Sequence, residues 1–258
     1  MQRKQQRRGA HARRQALTAY AEDLAYVHDA GFRDYALGAA PWLLRTLRRD
    51  GIREGLIVDL GCGSGRLALE LNRAGYGCLG IDQSGAMLRL ARKVAPKSRF
   101  HRSSVFDAEL PPCSAILATG EILNYRFAGA RSSSAALRRL FRRIHAALAP
   151  GGVFIFDIAT PERAPKNEPR IYWKEGPDWG IYASTTSASR DELIRSVTVF
   201  RKVGGLYRRS EEVHRLRLYR AEEIARELES CGFHVSVTKS YGRYKIPAGM
   251  AVFAAFKA

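Results

Sequence analysis

Leu56-Ile57-Val58-Asp59-Leu60-Gly61-Cys62-Gly63-Ser64-Gly65 is the stretch that decides the fold. A mostly apolar run meets three closely spaced glycines, which reads as a buried strand ending in a tight turn. A helical pattern follows over 65–73, and a second apolar run, Cys78-Leu79-Gly80-Ile81, ends in Asp82. A strand, a glycine turn, a helix and an acid one βα unit later make a pocket for a nucleoside. Glycine lets the backbone approach a ligand where a Cβ would clash. The carboxylate of Asp82 then stands where it can accept two hydrogen bonds from ribose hydroxyls.

Spacing separates the possible cofactors. A dinucleotide turn is G-x-G-x-x-G, with the pyrophosphate on the helix N-terminus. Here the glycines are 61, 63 and 65, position 66 is Arg, and Asp59 lies two residues before the first glycine. This G-x-G-x-G pattern resembles motif I of the class I methyltransferases that use S-adenosylmethionine. Further features follow in the order that family shows. Gly80-Ile81-Asp82-Gln83-Ser84 is similar to motif II. Ser104-Val105-Phe106-Asp107 follows a third short strand near 99–102. Ala115 to Gly120 reads as a fourth strand, and Leu148-Ala149-Pro150-Gly151-Gly152 leads into Val153-Phe154-Ile155-Phe156-Asp157 as a fifth.

The resemblance implies a set of cofactor contacts. The backbone at Gly61, Cys62, Gly63 and Gly65 holds the amino-acid tail, and Asp59 receives amides of the glycine turn. Asp82 takes the ribose, Gln83 and Met87 flank the adenine, Phe106 packs on it, and Asp107 binds its amino group. Thr119, at the end of the fourth strand, falls beside the sulfonium. Tyr20 and Tyr35 come from an N-terminal helical cap, Tyr35 against the methionine end. Tyr26, His28 and Phe32 are further aromatics on that cap. Cys62 reads as a small packing residue.

Length and composition set the outer bounds. The chain has 258 residues and 46% apolar content, enough for one full core with an elaborated lid. No apolar run reaches the ~18–20 residues of a membrane span. The N-terminus has no signal-type apolar stretch. Cys62, Cys78, Cys113 and Cys231 have no paired spacing and read as reduced thiols in a cytoplasmic protein, and no Cys/His cluster suggests a metal. The net charge of +18 raises a nucleic-acid reading, but 34 of the 43 basic residues are arginine, and many lie on helix faces such as Arg138-Arg139 and Arg142-Arg143. That distribution fits a solvated surface better than a binding groove.

The expected fold is α/β: a doubly wound, mostly parallel seven-stranded sheet with an antiparallel edge hairpin. Residues 1–16 read as a basic arm and 17–52 as the cap. Residues 53–160 and 221–258 read as the core, and 161–220 as an inserted β lid. Pro161, Pro165, Pro169 and Pro177 mark a loop before strands near 180–187, 193–203 and 206–219, with a hairpin turn at Gly204-Gly205. His145 reads as surface on a helix over 132–148. The helix from Ala221 to Cys231-Gly232, preceded by a long strand, resembles the small-molecule branch of the family, which includes N-methyltransferases of amino sugars and glycine.

Methyl transfer needs mainly proximity and alignment, with a base only for a protonated acceptor. On period two, His214 shares a strand face with Glu212, Leu216 and Leu218, so it points under the lid as a candidate base. Glu121, just past the fourth strand, is the second catalytic candidate. Asn124 and Tyr125, polar groups in an apolar segment, are candidate acceptor contacts. These readings converge on transfer of a methyl group to an oxygen or nitrogen of a small molecule by a monomer or homodimer with no membrane partner. An RNA methyltransferase and a non-catalytic protein that binds S-adenosylmethionine are the alternatives. Thr119-Gly120-Glu121 stands where base-amino methylation places N/D-P-P-Y/F/W, which argues against the first.

Overall fold

The computed structural model describes residues 20–126 and 134–258. The basic arm and the start of the helix expected at 132 lie outside them. Two helices come first, α1 (Glu22–Phe32) and α2 (Asp34–Arg49). The core then alternates β1 (Leu56–Leu60), α3 (Arg66–Arg73), β2 (Gly77–Asp82), α4 (Gly85–Val94), β3 (Arg99–Arg102) and β4 (Cys113–Ala118). A 3-10 turn, Ile122–Asn124, leads into β5 (Tyr125–Arg126), followed by α5 (Ser134–Ala147) and β6 (Leu148–Ala159). Four long strands follow: β7 (Arg170–Gly176), β8 (Trp179–Ser189), β9 (Glu192–Val203) and β10 (Leu206–Arg217). The chain ends with α6 (Ala221–Glu229), β11 (Phe233–Thr238), the small hairpin β12 (Ser240–Tyr241) and β13 (Tyr244–Lys245), and β14 (Met250–Lys257).

The main sheet has seven strands in the order β11-β14-β6-β4-β1-β2-β3. Its strands from β6 to β3 run parallel, and β14 and β11 add the antiparallel edge hairpin. Sheet order reverses direction at β1, so the carboxyl ends of β1, β2 and β4 face a crevice where such sheets take ligands. Two apolar layers cover the sheet. One holds Phe141, Phe154, Phe156 and Phe253; the other holds Leu43, Leu47, Leu71 and Val252. Ser84 caps α4, its Oγ accepting from the Met87 amide at 3.1 Å.

The second sheet runs β5-β10-β9-β8-β7, all antiparallel. Its inner face packs Trp179, Ile181, Ala183, Val197 and Val199 onto Leu24 and Val27 of α1. The cap helix and the inserted strands therefore share one apolar cluster, and they close over the crevice together.

Four details differ from expectation. β7 occupies part of the segment read as loop; it is a sheet edge with most of its residues exposed, so no buried face marked it. The Pro150-Gly151-Gly152 turn lies inside β6, where the register against β4 shifts between Cys113 and Ala115. His145 is half-buried, with its ring edge-on to Phe233 at 4.9 Å. In the β9–β10 turn Gly204 has φ 62°, whereas Gly205 does not take positive φ.

Candidate active site

The carboxyl ends of β1, β2 and β4 open into a cavity of about 350 Å³. Small-molecule sites run from about 300 to 1,000 Å³. Asp59, Gly61, Cys62, Gly63, Asp82, Met87 and Thr119 line it from the sheet, and Tyr20 and Tyr35 line it from the cap. At Gly63 (φ 52°) an added Cβ would meet no atom within 4 Å, so the turn leaves open space over its backbone. Asp82 accepts from the Gly63 amide at 2.9 Å and the Ser84 amide at 2.8 Å. A carboxylate has about four lone-pair sites, so both oxygens keep acceptor capacity for a diol. These residues fit an adenosine-type ligand with a polar tail.

Asp59 takes no glycine-turn amide. The Gly61 and Cys62 amides go to the Ile81 carbonyl, and the Gly63 amide goes to Asp82. Asp59 Oδ2 is buried without a partner. Burial, and then the charge of Asp82, push its carboxyl up to about 8. Burial and the neighbouring Asp82 therefore both favour the neutral form of Asp59. Burial also raises the Cys62 thiol, which makes it unreactive packing.

Four expected cofactor residues do not line the cavity. Gly65 (φ 77°) would place a Cβ 3.0 Å from the Ala91 Cα, so its role is the close packing of α3 on α4. Phe106 packs on the main core, and its carbonyl accepts from Arg143. Asp107 is exposed, held in its turn by its own amide on the Ser104 carbonyl. Gln83 is half-buried; its carbonyl accepts from Arg102, and its side-chain Nε2 is buried without a partner.

A second cavity of about 360 Å³ lies under the inserted sheet. Tyr20, His28 and Phe32 line both cavities and form the partition between them. His214 lines the second one and is 5% exposed. Its Nε2 pairs with Glu212 Oε2 at 2.9 Å, and its Nδ1 is buried without a partner. Glu212 accepts, so Nε2 is the donor. His28, lowered to about 4 chiefly by burial, is a neutral imidazole.

Glu121 lines neither cavity. It is the counter-ion of Arg195, with Oε1 2.7 Å from Nη2, and Arg195 also reaches the Tyr125 hydroxyl at 3.3 Å. Tyr125 in turn meets the Tyr20 hydroxyl at 3.0 Å. Glu121 and Tyr125 thus brace cavity walls from behind. Asn124 is not an acceptor contact. It is fully buried, donating to the Ala159 and Arg217 carbonyls and accepting from the Ala159 amide, which ties the 3-10 turn to β6 and β10. Asn124→Ala orphans those backbone groups and should cost about 2–4 kcal/mol. Urea denaturation checks this; a loss under about 0.5 kcal/mol would contradict the structural role.

Three organising residues escaped the sequence reading. Asp157 is fully buried and accepts from the Tyr35 and Tyr241 hydroxyls and from the Gly120 and Glu121 amides. Arg66 makes two 2.8 Å bonds to Asp29, tying the glycine turn to α1. Glu212 accepts from the Tyr20 and Ala21 amides at 2.8 Å each, which fixes the start of α1 to the inserted sheet. Among the described residues, only Tyr20 (φ 58°) and Glu121 (φ 55°) combine a side chain with positive φ. The amide of each is held by a carboxylate, Glu212 or Asp157. An acid within an apolar strand was the one available signal for Asp157.

Residues 57–152, from β1 into β6, match the family model of the methyltransferase domain. Residues 57–152 thus carry a methyltransferase domain by sequence, and the sheet order and glycine-turn cavity are those of the fold that S-adenosylmethionine-dependent methyltransferases share. Among curated sequences it is 26% identical over 192 residues to the protein named Putative methyltransferase YqeM of Bacillus subtilis; the match covers 70% of this chain and 74% of YqeM. An S-adenosylmethionine-dependent methyltransferase from Clostridium acetobutylicum has the same fold, at TM-score 0.77 and 19% identity, covering 91% of this chain and 97% of that one. So does the sugar N-methyltransferase KedS8 from Streptoalloteichus, at TM-score 0.73 and 20% identity over 93% of this chain and 96% of that one.

Proposed function

We propose that the protein transfers a methyl group to an oxygen or nitrogen of a small-molecule acceptor seated in the second cavity. The observation that carries this reading is the pair of adjoining cavities with one shared partition of Tyr20, His28 and Phe32. One cavity suits the nucleoside cofactor, and the other is of similar size and lined largely by side chains of the inserted sheet. The sugar N-methyltransferase among the structural neighbours is consistent with such an acceptor.

S-adenosylmethionine, when bound, supplies an activated methyl group. The residues of this chain supply position and proton handling. Asp82 and the open backbone at Gly63 hold the nucleoside. Tyr20 and Tyr35 fix the cap over it. His214 is placed to take a proton at Nδ1, with Glu212 on Nε2 to stabilise the resulting imidazolium. The free thiols of Cys62, Cys78, Cys113 and Cys231 favour a cytoplasmic location. Among the described residues no helix is long and apolar enough to cross a membrane.

His214→Gln should lower kcat by about 10²–10⁴ while leaving affinity for S-adenosylhomocysteine unchanged. The assay is formation of S-adenosylhomocysteine from S-adenosylmethionine over an acceptor panel. Turnover equal to the parent enzyme would remove His214 as the base. No transfer to any acceptor, with cofactor binding intact, would favour a binding protein instead.

A further inference from the structure

The second cavity has an unusual charge. Arg163, Arg170 and Arg195 line it, and no aspartate or glutamate does. Its floor is apolar, from Leu24, Ile181, Leu193 and Val197. Of the three arginines, Arg195 is neutralised from behind by Glu121. Arg163 has no ion pair among the described residues, and its Nε is buried without a partner. Burial pushes its guanidinium below the ordinary value, and the positive charges of Arg195 and Arg170 push it further against the pull of Glu121. The three guanidinium fields therefore overlap, with one carboxylate between them. Arg163 is half-buried and Arg170 exposed; a half-buried guanidinium with a buried, unpartnered Nε gains from an anion, and planar guanidinium groups match carboxylate or phosphate oxygens. A site for a cationic amine would carry an acid in its wall; this one carries the opposite sign.

We infer that the methyl acceptor is an anion, a carboxylate or phosphate compound whose charged group is held by Arg163 and Arg170. The anion serves as a handle. An apolar body lies along the floor toward Tyr20, and the nucleophile lies at the His214 end. Arg195, already paired, shapes the wall and adds to the field. The inference rests on the second cavity being the acceptor site.

The test is calorimetric titration of the protein saturated with S-adenosylhomocysteine, using citrate and inorganic phosphate at constant ionic strength. At least one should bind, and the better of the two separates a carboxylate from a phosphate handle. Arg163→Gln and Arg170→Gln should each weaken that binding about tenfold or more, with affinity for S-adenosylhomocysteine unchanged, which also shows that the variants fold. Arg53→Gln, at an exposed arginine ahead of β1, should leave anion binding within about twofold. Failure of both anions to bind, or equal weakening in all three variants, would overturn the inference while leaving the methyltransferase reading in place. Failure of S-adenosylhomocysteine itself to bind would instead strike at the cofactor site.

Discussion

Asp157→Ala should destabilise the protein by about 3–5 kcal/mol and abolish cofactor binding in whatever fraction still folds. Asp157 is fully buried, and its carboxylate accepts from Tyr35 at 2.9 Å, Tyr241 at 2.6 Å, and the amides of Gly120 and Glu121. Burial raises its pKa, and the donors oppose that rise by favouring the charged form. Removing the carboxylate orphans the fully buried Tyr241 hydroxyl and two backbone amides at once. It also frees Glu121 from its left-handed conformation at φ 55°. The Glu121–Arg195 pair then loses its anchor, and Tyr35 loses the bond that turns it over the cofactor cavity. Urea unfolding measures the first effect. Asp157→Asn separates the two, because its amide oxygen still accepts while the charge is gone. Stability within about 1 kcal/mol of the parent in Asp157→Ala would contradict this hub.

Asp82→Ala should weaken S-adenosylhomocysteine by about 10²–10⁴-fold. Two charge-assisted hydrogen bonds to the ribose, at about 1.5–3 kcal/mol each, sum to that range. The same substitution releases the Gly63 and Ser84 amides, which loosens the glycine turn. Asp82→Asn keeps an acceptor oxygen and should fall between the two. Because Asp82 lies on the cavity wall, stability should change less than affinity, the reverse of Asp157. Unchanged affinity in Asp82→Ala would defeat the ribose assignment.

Much of the fold was legible because its signals are local. The glycine turn after β1, the Ser84 cap, the helical stripes and the alternation that turns His214, Leu216 and Leu218 inward are all set within a few residues. β7 was not, because an exposed edge strand between prolines has no buried face to alternate. Asn124 was misread for a physical reason. A polar side chain in an apolar segment looks the same whether it faces a ligand or satisfies backbone groups, and here the backbone groups are 35 and 93 residues away. Phe106 joined the core for the same reason that apolar residues usually do. Asp157 becomes an organiser only through Tyr35 and Tyr241, which lie 122 and 84 residues away in the chain. The arginines of the second cavity come from three separate segments, so a count of basic residues gave their charge and not their convergence.

The central claim is that adenosine is seated at the carboxyl edge of β1 and β2, between Gly63 and Asp82. Calorimetric titration of the purified protein with S-adenosylhomocysteine tests it most directly. The expected result is one site per chain with micromolar or tighter affinity, lost in Asp82→Ala. No heat at millimolar ligand, or equal binding by the parent and Asp82→Ala, would contradict it.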